Sequence, residues 1–335
     1  MVRIALDAMG GDYAPEQLVK GALSALQERA DLYIQLVGEP ETLRQLLSAA
    51  SAELQQRVAI VPADDVITND DSPALAVRRR KTASIVVATA LLSSDEADAL
   101  VTAGSTGAFM AAGLLVLGRL PEIQRPALAP VLPTVDGKGV VLLDVGANMD
   151  ARPENLAQYA LMGSIYADVV LQRQNPRVGL LNVGTERGKG NQLAKDAYDA
   201  IDTLPLNFVG NVEARDLLSG VADVVVADGF VGNVVLKLME GMGMAMMGML
   251  MQAMQSIPDS QAALATLQPG LKRLKQQFDA SEYGGAPLLG VRKPMVKCHG
   301  NADQLAIKNG LLQTARFVEQ GFISRVAAAV SSRAE

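Results

Sequence analysis

The chain has 335 residues, with 30 Lys and Arg against 36 Asp and Glu, a formal charge of −6, 49% hydrophobic residues, one His and no Trp. A chain of this length can bury about three quarters of the surface that it exposes when unfolded, so its core needs no disulfide or structural metal. The single cysteine, Cys298, excludes an internal disulfide, and the acidic balance argues against general nucleic-acid binding. We expect a cytoplasmic protein.

Apolar, β-branched runs alternate with helix-length segments along the chain. The runs end in similar glycine-containing turns, at 6–11, 35–40, 101–107, 142–148, 180–186 and 225–230. Predicted helices lie between them, over 15–29, 74–93, 154–166, 192–202 and 233–255. Continuous apolar strands that alternate with helices are typical of a mostly parallel sheet that is covered on both faces. The pattern predicts an α/β protein with a three-layer α/β/α architecture.

Residues 99–118 carry no charge and are long enough to span a bilayer. Because 104–107 form a turn signal, GSTG, we instead predict a strand, a loop and a buried helix. Asp7 interrupts the first apolar run, so we expect no export signal. No domain boundary stands out, and residues 1–335 are predicted to be one unit, in which two lobes around a cleft remain an open alternative.

The glycine turns are predicted to share one edge of the sheet, where ligands of open α/β sheets bind. Residues 184–191, GTERGKGN, lack the spacing of a nucleotide-binding loop. Arg187 and Lys189 are nevertheless suited to a small phosphate, although a solvated basic loop is the alternative. No dinucleotide fingerprint and no nucleophile elbow occurs in the sequence. Cys298 is predicted to be an unreactive buried thiol, and His299 either structural or a contact for an anion.

Several longer blocks are together specific for one family. They are IALDAMGGDYAP (4–15), TAGSTGA (102–108), RPALAPVLPT (125–134), LLDVGANMDARPE (142–154), VGLLNVGTERGKGN (178–191), VVVADGFVGNVVLK (224–237) and YGGAPLLGV (283–291). In these blocks the chain resembles the bacterial phosphate acyltransferases, from residue 4 to about residue 310. Ser105, where many relatives carry Asn, and the segment 291–303 depart from the family's usual pattern.

The resembled family transfers a fatty acyl group from acyl-[acyl carrier protein] to orthophosphate, the first step of phospholipid synthesis. The resemblance implies an isopropylmalate-dehydrogenase-like fold, a homodimer, no metal, nucleotide or other cofactor, and delivery of the acyl phosphate to a membrane glycerol-3-phosphate acyltransferase. A coenzyme A-dependent enzyme of the phosphotransacetylase type is one alternative. A non-catalytic module that binds acyl carriers or lipid is another.

Phosphate is largely dianionic near neutral pH, so its attack on a thioester needs positioning and charge stabilisation more than a strong base. As catalytic residues we predict Lys189, Arg187, His299 and Lys237. The predicted residues for binding phosphate and thioester are Asp7, Gly10, Gly11, Gly104, Ser105, Thr106, Gly107, Asn148, Asn182, Thr185, Asn191, Asp228 and Asn233. Asp7 and Asp228 are expected to orient loops, since an unpaired carboxylate repels phosphate.

An acidic carrier protein needs basic patches on an acidic enzyme. Two clusters are predicted to dock it, with a solvated face as the alternative for each: Arg78, Arg79 and Lys81, and Lys272, Arg273 and Lys275.

Eight of the 14 methionines lie between Met239 and Met254, at the start of a predicted helical hairpin around 235–280. A helix that is apolar nearly all round is expected to be buried on several sides. The uninterrupted apolar stretch, 241–251, is uncharged and has only 11 residues, so we expect it to be too short for a bilayer span. Core or dimer packing is one interpretation of this segment. The other is a surface that receives acyl chains or contacts the inner face of the membrane peripherally.

Overall fold

The computed structural model of the chain describes residues 1–256, 266–267, 270 and 284–331. Their first sheet has seven strands, which are β1 (Val2–Asp7), β2 (Leu32–Gly38), β3 (Val58–Pro62), β4 (Ala99–Thr102), β5 (Ala127–Leu128), β11 (Ala286–Leu289) and β12 (Met295–Lys297). The order across this sheet is β3-β2-β1-β4-β12-β11-β5. Its first five strands in that order are parallel, and β11 is antiparallel to both of its neighbours.

A second sheet has five strands, which are β6 (Val131–Leu132), β7 (Val140–Leu143), β8 (Arg177–Asn182), β9 (Asn207–Glu213) and β10 (Val224–Val226). The order is β6-β7-β10-β8-β9, with β6 antiparallel and the other four parallel. The predicted mostly parallel α/β architecture is confirmed, but its strands are divided between two sheets. We call the part built on the first sheet lobe one and the part built on the second sheet lobe two.

The α-helices of the described residues are α1 (Glu16–Glu28), α2 (Pro40–Leu47), α3 (Ala52–Gln55), α4 (Pro73–Arg79), α5 (Ser84–Ser93), α6 (Thr106–Ala112), α7 (Pro153–Val169), α8 (Gln192–Asp202), α9 (Gly229–Gln255), α10 (Gln304–Glu319) and α11 (Phe322–Ser331). A π-helical turn, Gly113–Leu117, continues α6, and a 3₁₀ helix spans Ala214–Ser219. The predicted helix over 192–202 and the predicted strand, loop and helix within 99–118 are confirmed.

The single helix predicted over 74–93 is wrong, because the chain leaves the helix at Arg80. The Arg80 guanidinium is held by the carboxylates of Asp65 and Asp71, and Asp65 also forms a β-bridge with Ala83. These contacts draw 80–83 away from the helix axis. Two helices, α4 and α5, therefore take the place of one.

The two lobes are joined through β5 and β6, which are only two residues apart in the chain. The amide of Leu128 donates to Asp144 Oδ1 and its carbonyl accepts from the amide of Val145, so a strand of lobe one is bonded to a loop of lobe two. On the other side, Tyr166 of α7 packs edge-on against Phe317 and Phe322. The buried apolar clusters contain residues of both sheets.

The expectation that the methionine-rich helix is buried on several sides is wrong for the single chain. Its first turns pack on lobe two, where Val235, Leu236 and Met239 are partly buried against the core. Beyond them the helix projects from the lobe, and its methionines are exposed by 52% to 74% at Met242, Met244, Met246 and Met249. By length and composition alone, Gly229–Met254 could cross a bilayer. The returning half of the predicted hairpin lies outside the described residues.

Candidate functional site

Three side chains form a row at the carboxyl ends of adjacent strands in lobe one. Asp7 of β1 is in register with Thr102 of β4, and Thr102 is in register with Lys297 of β12. Paired residues of parallel strands point to the same face, so the three side chains lie next to one another. The Thr102 hydroxyl lies 2.7 Å from Asp7 Oδ2 and accepts from the amide of Gly104 at 2.9 Å. We call these strand ends and the loops after them the first edge.

Burial dominates the electrostatics of this row. Asp7 is 1% exposed and Lys297 8% exposed. Burial raises the pKa of the Asp7 carboxyl, against the stabilising hydrogen bonds of Ser84 and Thr102. Burial also lowers the pKa of the Lys297 ammonium to about 8. This ammonium donates to the carbonyl oxygens of Ala103, at 3.2 Å, and Cys298.

The glycines of the first edge allow the loops to pack closely. A Cβ on Gly10 would lie 2.7 Å from Asp7 Oδ2 and 2.8 Å from the backbone of Gly104. Gly11 has a φ of +111°, which other residues rarely adopt, and a Cβ there would lie 2.9 Å from Ala103 Cβ. Gly107 lies against Pro73 of α4. The predicted binding glycines Gly10, Gly11, Gly104 and Gly107 thus lie in closely packed loops. Other protein atoms occupy the space where a side chain at Gly10, Gly11 or Gly107 would be.

Ser105 and Thr106 begin the helix that follows this loop. Ser105 is the N-cap of α6, with its Oγ 3.5 Å from the amide of Ala108, and Thr106 is the first helical residue. His299 is exposed beyond the end of β12, whereas Cys298 is buried. Burial raises the pKa of the Cys298 thiol to about 11, so it is protonated and unreactive near neutral pH.

In lobe two, a buried carboxylate organises the loop that follows β7. Asp144 is fully buried and accepts hydrogen bonds from the amides of Leu128, Ala147 and Asn148, and from Nδ2 of Asn148. Asn148 Nδ2 also donates to the carbonyl of Pro126 at 2.6 Å. A Cβ on Gly232 of α9 would collide with the carbonyl oxygen of Asp144. The start of α9 is therefore packed directly on this loop.

The loop between β8 and α8 carries the predicted phosphate-binding residues. Asn182 Nδ2 donates to the carbonyl of Lys189 and to Asn211 Oδ1, both at 3.1 Å. Asn211 in turn donates to the carbonyl of Glu186 at 2.8 Å, and Asn191 caps α8. The asparagines thus hold the shape of the loop. With the loop after β7 and the start of α9, it forms what we call the second edge.

The three other predicted residues of this loop are exposed, with different surroundings. The Arg187 guanidinium lies over the ring of Tyr198 and is paired with Asp199 at 2.9 Å and Asp202 at 3.3 Å, all on α8. Lys189 has its aliphatic stem near Gly184, and its ammonium has no ion-pair partner in the part of the chain that the structure describes. Thr185 is exposed at the tip of the loop.

Helix α9 links the two edges. Asp228 caps it by accepting from the amides of Phe230 and Val231, at 3.0 Å each. Asn233 lies near Gly146, about one turn into the helix. A further turn along, Lys237 is paired with Glu240 and is close enough to Lys297 to lower its pKa. The charge on a helix that begins at the second edge therefore acts on the lysine of the first edge.

A depression of about 520 Å³ opens beside the start of α9. Polar residues from both of the flanking loops line it, including Asp150, Arg152, Asn191 and Asp228. Its apolar wall includes Phe230, which is 62% exposed. The arrangement can accommodate a ligand with both apolar and charged parts.

The first docking cluster lies near the first edge. Arg78 and Arg79 end α4, the helix that packs on α6 and touches Gly107, and both are exposed together with Lys81. The second cluster, Lys272, Arg273 and Lys275, lies outside the described residues. No group of His, Cys, Asp and Glu suited to a metal occurs in the described ranges.

Sequence reasoning missed Lys297, Thr102, Asp144 and Asn211. The sequence does contain an indication for Lys297, because this charged residue directly follows apolar residues in β12. Asp144 stands in one of the family blocks, but only the folded contacts show that it binds the backbone of two segments.

Comparisons with known proteins agree with this architecture. Residues 2–325 match the family described as fatty acid synthesis protein. The phosphate acyltransferases of Bacillus cereus (strain G9842) and Bacillus thuringiensis (strain Al Hakam) are each 51% identical to the chain over 325 residues, which is 97% of both chains compared. A phosphotransacetylase structure from Streptococcus pyogenes has a TM-score of 0.66 and 16% identity, covering 95% of this chain and 94% of that chain, so it shares the fold.

Proposed function

We propose that this chain is a phosphate acyltransferase. It belongs to the fatty acid synthesis protein family, and its curated relatives described above are phosphate acyltransferases. We infer that its acyl donor is acyl-[acyl carrier protein] and that its product is an acyl phosphate for the acylation of glycerol 3-phosphate. No cofactor takes part in this proposal.

In the proposed reaction, a phosphate oxygen attacks the thioester carbonyl. The carbon–oxygen bond forms, the carbon–sulfur bond breaks, and the proton that phosphate gives up goes to the leaving thiolate. The thiolate is a good leaving group, with a pKa of about 8.5 for a free thiol, so strong acid assistance is unnecessary. The protein's tasks are to hold phosphate in line with the carbonyl and to stabilise the oxyanion.

The observation that carries the proposal is the loop between β8 and α8. Two asparagines, Asn182 and Asn211, brace its backbone, and it presents the exposed ammonium of Lys189 at the carboxyl edge of a parallel sheet. Lys189 is accordingly our first candidate for contacting phosphate, with Lys237 and His299 as further candidates. Arg187 is a weaker candidate, since its guanidinium is already paired with two carboxylates.

The choice of donor rests on the surface charge beside the first edge. Arg78, Arg79 and Lys81 form an exposed basic patch, and Leu75 of the same helix is 47% exposed. An acidic carrier protein that docks there would bring its thioester toward the loop at Gly104–Gly107. Coenzyme A is the acyl donor in the alternative function. It carries phosphates, but as a small molecule it has no protein surface that could cover this patch.

The exposed methionines of α9 support a peripheral place at the membrane or a contact between two copies in a homodimer. An apolar surface of this kind on a single chain marks an interaction site. Contact with the inner face of the membrane would bring the enzyme near the membrane acyltransferase that consumes its product. Met246→Glu/Met249→Glu should reduce pelleting with anionic vesicles; equal pelleting by variants that keep the wild-type oligomeric state would contradict the membrane contact.

The proposed activity is tested by phosphate-dependent release of free thiol from long-chain acyl-[acyl carrier protein], with the same acyl chain on coenzyme A as the matched substrate. We expect a kcat/KM that is at least about tenfold higher for the carrier protein, which is worth about 1.4 kcal/mol. A clear preference for acyl-coenzyme A would favour the phosphotransacetylase-type alternative. Binding of the acyl carrier without any turnover would favour the non-catalytic module.

A further inference from the structure

The Lys297 ammonium is a buried charge that forms no ion pair with a carboxylate of the described residues. An ammonium has three N–H donors, and two are accounted for by the carbonyls of Ala103 and Cys298. No carboxylate lies within 4 Å of its nitrogen among the described residues. Burying a charge is costly unless it is paired, and a protein that retains such a group commonly uses it in a functional site.

Asp7 attracts this charge and raises the pKa of Lys297, but the two side chains do not form an ion pair. Thr102 stands between the two side chains in the row, and it lies within hydrogen-bonding distance of Asp7 Oδ2. Asp7 Oδ1 has no hydrogen-bond partner among the described residues, and burial raises the pKa of the carboxyl. The row therefore presents, at the first edge, an ammonium that Asp7 attracts but does not contact as an ion pair.

The surroundings of Lys297 suit a small anion. Its nitrogen lies at the ends of β4 and β12, next to the Ala103–Gly104 turn, and the charge of Lys237 on α9 lowers its pKa. The repulsion between these two ammonium groups would be relieved by an anion near both of them. Asp7 and Asp12 act on Lys297 in the opposite sense and raise its pKa.

We propose that Lys297 is a phosphate-binding residue of the transfer site, whose third N–H and charge hold the orthophosphate that attacks the thioester. The inference rests on the proposed function and adds a residue of lobe one to the candidates Lys189 and Lys237 of lobe two. Phosphate would then be held between the lobes, because cations from both of them contact it.

The test is calorimetric titration of the full chain with inorganic phosphate. Lys297→Met removes the charge at nearly constant length, and Lys297→Gln also keeps donors for the two carbonyls. Loss of a charged hydrogen bond predicts a phosphate affinity about 10- to 100-fold weaker in either variant. The matched control is Lys293→Met, since Lys293 lies just before the same strand at its other end and is paired with Asp95. This control should bind phosphate like the wild type.

Wild-type phosphate affinity in both folded Lys297 variants would overturn the proposal. So would a loss confined to the KM for the acyl donor, which would assign Lys297 to the thioester. Should neither variant fold, the wild type still decides: at about pH 8.5 phosphate binding should take up protons, because an anion raises the pKa of a neighbouring ammonium. Binding without proton uptake would then overturn it.

These outcomes are separable from the fate of the proposed function. A chain that binds phosphate through Lys297 but releases no thiol would contradict the activity and leave the binding site standing. If the wild type transfers acyl groups and the Lys297 variants keep its phosphate affinity, the proposed activity stands and the role of Lys297 is contradicted.

Discussion

The two edges of the molecule hold their charges in opposite ways. At the first edge, Asp7 and Lys297 are almost completely buried and their positions are set by the loops around them. At the second edge the buried charge is a carboxylate, Asp144, which binds backbone amides, while the cations Arg187 and Lys189 lie on an exposed loop. A buried cation is in place before the substrate arrives, whereas an exposed lysine must be ordered by it. In the proposed site, the first edge would therefore supply a cation of fixed position, and the second a cation on an exposed loop.

The largest expected effect concerns the framework of the second edge. Asp144→Ala removes the acceptor for four hydrogen bonds and leaves buried amides of Leu128 and Ala147 without a partner. We expect the free energy of unfolding to fall by about 3 kcal/mol or more, as measured by denaturant titration. Asp64→Ala, at an exposed carboxylate, is the control and should change stability by less than about 0.5 kcal/mol. A similar small change for Asp144→Ala would show that the second edge does not depend on this side chain.

Much of this framework can be predicted from the sequence, because it depends on local pattern. The apolar runs predict β1, β2, β4, β7, β8 and β10, and the helical periods predict α1, α7, α8 and α9, with α8 at its correct bounds. The division into two sheets cannot be predicted from the sequence, because the strands at the junction, β5 and β6, have only two residues each. The end of α4 depends on Arg80 meeting Asp65 and Asp71, which are distant in sequence.

The candidate site is harder to predict, because sequence identifies which side chains are polar but not what they contact. Arg187 and Lys189 look equivalent in the sequence, yet Arg187 is paired with Asp199 on the next helix. Asn148 is predicted to bind phosphate, and in the fold its amide group donates to Pro126 and Asp144. The functional interest of Lys297 becomes apparent only when its burial and its lack of an ion pair among the described residues are known.

A second prediction separates the two cations of the exposed loop. Lys189→Met should lower kcat/KM for phosphate by about 10- to 100-fold, since it removes a charged contact to the substrate. Arg187→Met should lower it less than about threefold, because its guanidinium is occupied by Asp199 and Asp202. Initial rates at varied phosphate, with saturating acyl donor, measure both. Equal losses in the two variants would mean that Arg187 leaves its carboxylates to bind substrate.

A smaller effect on activity than that of Lys189→Met is expected for docking beside the first edge. Arg78→Glu/Arg79→Glu should raise the KM for acyl-[acyl carrier protein] several-fold, roughly three- to tenfold, and leave the phosphate KM unchanged. The effect should diminish with added salt, since exposed charges are screened. Arg44→Glu, on α2, is a single charge-reversal control away from the patch, and the native partner of Arg44 is the exposed Glu41. An unchanged KM for the carrier would reject this patch as a docking surface.

The central claim is that phosphate itself attacks the thioester, and a single-turnover experiment with and without phosphate tests it most directly. Enzyme in excess over acyl-[acyl carrier protein] is mixed in phosphate-free buffer, and free thiol is followed before and after phosphate is added. We predict no thiol release until phosphate is present, and then one acyl phosphate for each thiol released. A burst of thiol without phosphate would indicate an acyl-enzyme or hydrolysis, and would contradict direct attack.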